Sequence, residues 1–271
     1  MQEINNSLRG RDFISIHDFT PDEIAYILEV GATLKREQKQ GIPHHHLAGK
    51  TLGMIFQKSS TRTRVAFEVG MYQLGGHALF LSPRDIQLGR GETIKDTALV
   101  LARMVDGIMI RTFRQADVEE LARNSTIPVI NGLTDDFHPC QVLADLLTIY
   151  EFKGAFKGLK LAYIGDGNNM ANSLMIGSAK MGVNITIIAP KSLWPKEELV
   201  EECKVWAAEA GSTITLSDSV DSVKGADVLY TDVWASMGQE ENAEEKEQQF
   251  RNYQINQQLL KQAKPDAIVL H

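Results

Sequence analysis

The residues richest in chemical potential form one short run, Lys58-Ser59-Ser60-Thr61-Arg62-Thr63-Arg64. It follows an apolar stretch, Thr51-Leu52-Gly53-Met54-Ile55-Phe56, and opens a helical pattern. The start of a helix offers unpaired backbone N–H groups and a partial positive charge, both suited to an anion. Hydroxyl and guanidinium donors in the same turn add hydrogen bonds and full charge. Taken alone, the run also fits a Ser/Thr helix cap followed by surface arginines. The density of donors directly after a buried strand favours the anion site. Arg62 and Arg64 are two positions apart, so on a helix they cannot both face one ligand, and one of them is assigned to structure.

A second set lies at Asn131-Gly132-Leu133-Thr134-Asp135-Asp136-Phe137-His138-Pro139-Cys140-Gln141, again strand, turn, then helix. Pro139 at the first helical position leaves His138 at the cap and Gln141 in the first turn. A neutral histidine can donate to a carbonyl oxygen, and a glutamine can hold an amide through either face of its own. A histidine that merely caps the helix is the plainer alternative. Arg111 ends the apolar run Gly107-Ile108-Met109-Ile110 and is aimed at the same sheet edge. Donors from three strand ends would then surround one anion.

The second half carries two further candidates. Gly165-Asp166-Gly167-Asn168-Asn169 follows a strand and opens a helix. A dinucleotide fingerprint needs a glycine where Met170 stands and an acid after the next strand, where Ala189-Pro190 stands, so no nucleotide cofactor is expected. In Asp232-Val233-Trp234-Ala235-Ser236-Met237-Gly238, Asp232 directly follows an apolar strand. There a carboxylate can pair with an ammonium, or simply cap a helix beside a packed tryptophan. His44-His45-His46 lacks the spacing of a metal site, and no metal is expected.

The elements that must position these groups alternate. Helical patterns at 20–39, 93–105, 116–123 and 139–152 are separated by strand patterns at 51–56, 78–81, 107–110 and 128–130. The helix at 20–39 carries a Thr20 cap, Pro21 and two early acids. Another helix follows the 58–64 run, with Val65, Val69 and Tyr72 along one face. A boundary at 153–158 precedes strands at 159–164, 184–189, 213–216, 228–231 and 267–270, with helices at 169–182 and 195–210. The polar stretch 239–249 is assigned to a solvated loop or helix face. Strands spaced by helices imply parallel sheets covered on both faces. The fold class expected is therefore α/β, two domains, each a three-layer αβα sandwich, divided into 1–150 and 151–271.

The segments Ser60-Thr61-Arg62-Thr63-Arg64, Arg111 and His138-Pro139-Cys140-Gln141 together resemble the carbamoyl phosphate site of the aspartate/ornithine carbamoyltransferase family. The resemblance runs along nearly the whole chain. It implies that Ser60, Thr61, Arg62 and Thr63 grip the phosphate and that Arg111, His138 and Thr63 polarise the carbamoyl carbonyl. Gln141 would hold the amide nitrogen, beside Pro139 and Cys140, and Gln87 matches a residue lent to a neighbouring subunit. The ornithine branch is favoured by the Asp-Gly-Asn-Asn segment, by Cys140 and by the Ser-Met-Gly loop. In that branch Asn169 and Asp232 would read the amino-acid end of L-ornithine, with Ser236 and Met237 touching it. The implied activity forms citrulline and phosphate from carbamoyl phosphate and ornithine, in arginine biosynthesis, by a homotrimer or higher multiple. A putrescine-type enzyme is disfavoured because putrescine has no amino-acid group for Asp232. A nonenzymatic ligand-binding relative is the remaining alternative. The family's Cys-Leu-Pro segment and last helix have no counterpart before His271.

Composition agrees with that class. The 271 residues carry a formal charge of -7, which argues against a nucleic-acid or anionic-membrane partner. Two cysteines and no apolar leader point to the cytoplasm.

Overall fold

The computed structural model describes residues 2–88, 90–234 and 243–271. By contacts the chain divides into two compact units, Met1–Cys140 and Gln141–His271. The fold is α/β, with one parallel sheet in each unit, as the alternation of patterns predicts.

The first unit opens with α1 (Gln2–Leu8) and α2 (Pro21–Gln40). Thr20 and Glu23 cap α2 reciprocally, each side chain accepting from the other's backbone N–H at 3.2 and 2.9 Å. The unit continues through β1 (Thr51–Phe56), α3 (Arg62–Gln73), β2 (His77–Leu81), α4 (Ile94–Leu101), β3 (Gly107–Arg111), α5 (Gln115–Asn124) and β4 (Val129–Leu133). The strands lie in the order β2-β1-β3-β4. Phe13 extends the β4 edge, its N–H bonded to Val129 O and its carbonyl accepting from Asn131, both at 2.8 Å. Nothing in the local pattern around Phe13 announces this.

Side chains alternate across the sheet, so its two faces build two cores. Ile55, Ile108 and Ile110 pack with Ala98, Val118 and Leu121 of α4 and α5. Leu52, Met54, Phe56 and Met109 pack with Phe67 and Met71 of α3. The expected inward face of α3 is corrected here: Val65, Val69 and Tyr72 are exposed. A 3.6-residue period offers two stripes on this helix. The sheet takes Arg64, Phe67 and Met71, because Arg64 stacks on the Phe80 ring at 3.6 Å beside the Phe67–Met71 pair.

The second unit contains α6 (Pro139–Lys153, nearly all of it), β5 (Lys160–Ile164), α7 (Asn169–Met181), β6 (Asn184–Ile188), α8 (Glu197–Ala210) and β7 (Ile214–Ser217). Then follow β8 (Val228–Thr231), α9 (Ala243–Phe250), α10 (Gln257–Leu260) and β9 (Ile268–Leu270). Its parallel sheet runs β7-β6-β5-β8-β9. Ala162, Ile164, Ile188 and Leu229 bury one face against Val223, Ala226 and Leu259. α7 packs against β6 and α8. Within 239–249, the described part from 243 belongs to α9, whose Phe250 is fully buried and stacks on Trp234.

Each sheet reverses its winding direction once, between β1 and β3 in the first and between β5 and β8 in the second. In open parallel sheets the carboxyl ends of the strands flanking such a reversal leave a crevice for ligands. Residues 57–63 and Arg111 occupy the first of these positions, and residues 165–169 and Asp232 the second.

Candidate functional site

In the first unit the loops after β1, β3 and β4 are laced together by buried polar contacts. The Lys58 ammonium pairs with Asp135 and lies over the Phe113 ring at 4.5 Å. Gln57 accepts from the Thr112 hydroxyl. The β4 exit is fixed by Asn131 and Thr134, which both donate to Gln115 Oε1, at 3.3 and 2.8 Å. A Cβ at Gly132 would come within 2.6 Å of the Met109 sulfur and 3.3 Å of Ile110 O. The register of β3 against β4 shifts at this point, between Ile110 and Arg111.

These contacts hold the anion-site residues. Thr61 is the N-cap of α3 and makes no side-chain cap bond. Ser60 Oγ accepts from the Thr63 N–H at 3.2 Å, closing the turn. Arg111 is buried, donates from Nη1 to Thr63 Oγ1 at 3.4 Å, and leaves its Nε buried without a hydrogen-bond partner. Its pKa is lowered from the ordinary arginine value, first by burial and then by the Arg62 guanidinium nearby. No carboxylate pairs with Arg62 or Arg111 among the described residues. Two guanidiniums crowded without a counter-charge form a site that an anion would relieve. Arg64 is instead taken up by Glu68, Nε to Oε1 at 3.0 Å, so it is the structural member of the pair.

His138 sits immediately before α6. Burial, and secondarily Arg111, push its pKa down to about 3. The imidazole is therefore neutral at physiological pH and can donate one ring N–H without carrying charge. Pro139 begins α6 and is buried. The Cys140 thiol donates to Asn131 O at 3.3 Å, and burial raises its pKa to about 12, so it stays protonated and tethers the helix start. Gln87 lies exposed in the loop between β2 and α4, and no side-chain hydrogen bond joins it to residues 60–63 among the described residues. The structure thus gathers Thr63, Arg62 and Arg111, with His138 within electrostatic reach, and leaves Gln87 on the surface.

The second unit has the opposite charge logic. Asn168 caps α7, its Oδ1 accepting from Met170 N at 2.9 Å and Ala171 N at 3.3 Å. That occupies the N–H groups a pyrophosphate would use. Gly167 serves the chain's own packing, since a Cβ would lie 2.5 Å from Leu193 O. Asn169, the first residue of α7, is buried. Asp232 follows β8 directly, and burial raises its pKa, opposed by the Val233 N–H. Asp166 is buried and paired with Lys246 at 2.5 Å. Asp145 is buried on α6, its pKa raised to about 7 by burial against hydrogen bonds from Gln141 and Tyr230, with Asp232 adding to the rise. Three carboxylates thus gather beside the β5/β8 reversal, where a cation would be favoured. Ser236 and Met237 lie outside the described residues.

Sequence patterns did not single out Asp145 or Tyr230. The available signal was the i, i+4 spacing of Gln141 and Asp145 on one helix. Among the described residues no group of three or more His, Cys, Asp or Glu is arranged to hold a metal ion. None of the described helices is long and apolar enough to cross a membrane.

Comparison with known proteins gives two family matches. The carbamoyl-P binding domain of aspartate/ornithine carbamoyltransferase matches residues 11–151, and the Asp/Orn binding domain of that family matches residues 157–271. The ornithine carbamoyltransferase of Oceanobacillus iheyensis is 57% identical over 274 residues, covering 100% of this chain and 85% of that protein. That of Bacillus subtilis is 56% identical over 266 residues, covering 98% and 82%. The solved ornithine carbamoyltransferase of Pyrococcus furiosus superposes with a TM-score of 0.94 at 54% identity, covering 97% of this chain and 85% of that one.

Proposed function

The chain belongs to the aspartate/ornithine carbamoyltransferase family, and from that premise we propose that it transfers the carbamoyl group of carbamoyl phosphate to the δ-amine of L-ornithine. The products are citrulline and phosphate, in arginine biosynthesis. The observation that carries the chemistry is the crowding of Arg62 and Arg111 without a carboxylate, beside a histidine held neutral. Such a set binds a phosphate dianion and donates to a carbonyl that becomes an oxyanion during attack. Each donor aimed at that oxyanion is worth roughly 3 kcal/mol of barrier. Holding the attacking amine in line supplies much of the rest.

In this reading residues 1–150 bind carbamoyl phosphate through Ser60, Thr61, Arg62, Thr63, Arg111, His138, Pro139, Cys140 and Gln141. Residues 151–271 bind ornithine through Asn169 and Asp232, with Ser236 and Met237. The buried Asp166 and the half-buried Asp232 favour the cationic ornithine over aspartate, whose two carboxylates they would repel. The δ-amine must lose its proton before attack, and the substrate phosphate is the acceptor proposed. The assembly proposed is a cytoplasmic homotrimer or a higher multiple, with Gln87 serving the neighbouring copy. The exposed Val65, Val69 and Tyr72 on α3 supply an apolar face for that contact.

The test is carbamoyl transfer by the 271-residue chain from carbamoyl phosphate to ornithine, putrescine or aspartate in parallel, read as citrulline, carbamoyl-putrescine or carbamoyl-aspartate. Turnover with ornithine alone is expected. Turnover with aspartate or putrescine in its place would overturn the substrate assignment.

A further inference from the structure

Asp145 has no part in the proposed chemistry, yet it is buried and accepts two hydrogen bonds. Gln141 Nε2 donates to its Oδ1 at 2.9 Å, and the Tyr230 hydroxyl donates to its Oδ2 at 3.1 Å. Gln141 and Asp145 meet because they are four residues apart on α6. Tyr230 reaches them from β8, where it is buried and stacked on Tyr163 at 5.8 Å between ring centres. Its hydroxyl has Asp145 as its hydrogen-bond partner among the described residues.

A carboxamide has two chemically opposite ends, and above pH 7, where Asp145 is ionised, its carboxylate can only accept. Facing Asp145, Gln141 must therefore present its NH2 group, which turns its carbonyl oxygen the other way. The flipped amide would set oxygen against oxygen in a buried position. An amide fixed in this sense offers an acceptor to an NH2 group, such as that of a carbamoyl, and has nothing to offer a methyl group in the same place.

We propose that Asp145 is a positioning residue that locks the Gln141 carboxamide with its carbonyl oxygen outward, and thereby selects an amide-bearing acyl phosphate over an acetyl phosphate. This rests on the carbamoyl phosphate reading of the first unit and adds the origin of its selectivity.

Tyr230 makes the idea testable beyond simple loss of function. In Asp145→Asn the new side chain must choose which end faces Tyr230. A buried phenol hydrogen needs an acceptor, so the Asn oxygen turns toward Tyr230 and the Asn NH2 toward Gln141. Gln141 is then driven to flip and presents a donor to the carbamoyl NH2. Adding Tyr230→Phe removes that bias, and the Gln141 carbonyl can return outward.

The experiment is calorimetric measurement, at pH 8.5 where Asp145 is ionised, of Kd for carbamoyl phosphate and for acetyl phosphate on the full chain, wild type and variants. The ratio of the two Kd values cancels any general change in phosphate affinity. In D145N the preference for carbamoyl phosphate should fall about tenfold, the worth of one hydrogen bond to the amide. In Y230F it should stay near wild type, because the carboxylate still dictates the amide. In the double variant it should recover by about threefold from the D145N value. A merely structural role predicts that the double variant is worse than D145N. An unchanged ratio in D145N, or a further fall on adding Y230F, overturns the proposal. Binding reads the ratio whether or not the chain turns over, so absent citrulline with intact binding counts against the function and leaves this inference under test by its own ratio. Wild-type chain that does not prefer carbamoyl phosphate to acetyl phosphate refutes the inference outright.

Discussion

The buried carboxyl of Asp145 should make the second unit less stable as the pH rises, and Asp145→Asn should remove that dependence. Its pKa is about 7 in the folded chain against 3.8 for an ordinary aspartate. Between those values the folded chain holds a proton that the unfolded chain has lost. The stability associated with that proton is complete below pH 3.8 and is lost as the pH climbs through 7. A rise of about 3 units corresponds to roughly 4 kcal/mol at pH 8. The neutral asparagine keeps a similar shape and two hydrogen bonds without the charge, so its advantage should grow from near zero at pH 4 to that order at pH 8. All three tryptophans, Trp194, Trp206 and Trp234, lie in the second unit, so their fluorescence reports its unfolding. With a urea slope of about 2 kcal/mol per molar, the variant's midpoint should exceed wild type by roughly 2 M at pH 8. A midpoint difference that is the same at pH 4.5 and pH 8 would refute the reasoning. So would a variant less stable than wild type at pH 8.

Other perturbations follow from the same structure. Arg111→Met should cut citrulline formation by about 10²–10³-fold, as loss of a donor to a developing oxyanion does. Because the guanidinium is buried beside Arg62 with its Nε unsatisfied, thermal unfolding of that variant should shift little or upward, and a large downward shift would contradict the electrostatic account. His138, with a pKa of about 3, should show the nitrogen chemical shifts of a neutral imidazole at pH 5, and an imidazolium signal there would be inconsistent with its burial. Its depressed pKa stabilises the fold above the ordinary histidine value, and that contribution should fade as the pH drops below 6.5. Gly167→Ala places a methyl 2.5 Å from backbone atoms of Leu193 and Pro195 and should cost about 1–3 kcal/mol. The change should also be visible in Trp194, whose indole N–H is bonded to Ala189 O at 2.9 Å.

The parts legible in the sequence were those governed by local rules. The cap at Thr20, the proline at 139 and the apolar runs at 51–56 and 160–164 announce their elements because backbone conformation there is decided within a few residues. The alternation of strand and helix leaves a parallel sheet as its natural solution, so the α/β class followed. The orientation of α3 did not follow. Its sequence offers an apolar stripe at Val65, Val69 and Tyr72 and another at Phe67 and Met71, and only the sheet decides between them. The Phe13 bridge to β4 joins residues more than a hundred positions apart, which no local window can see. For the site, donor density marked residues 60–63, but the distinction between Arg62 and Arg64 needed Glu68 and Phe80 in place. Asp145 was hidden for the same reason. A carboxylate on a helix reads as solvated until Tyr230 arrives from β8 to bury it.

The two units solve one problem with opposite signs. Each sheet reverses direction once, and at each reversal the chain concentrates like charges that repel one another. In the first unit these are Arg62 and Arg111, with His138 denied its proton first by burial and then by Arg111. In the second they are the buried Asp166, which Lys246 answers, and the half-buried Asp232. Self-repulsion of this kind costs folding stability, and it is the physical signature expected of a binding site, for an anion in the first unit and for a cation in the second. It also explains why neutral groups are interleaved with the charged ones. Under the proposed function a neutral His138 donates to the carbamoyl oxygen without adding charge, and a freely rotating Gln141 would offer the wrong end to the amide. Burial keeps the first neutral, and the Asp145–Tyr230 pair holds the second. In that reading the charges supply attraction, while the neutral groups, fixed by burial and by one carboxylate, supply the discrimination that charge alone cannot give.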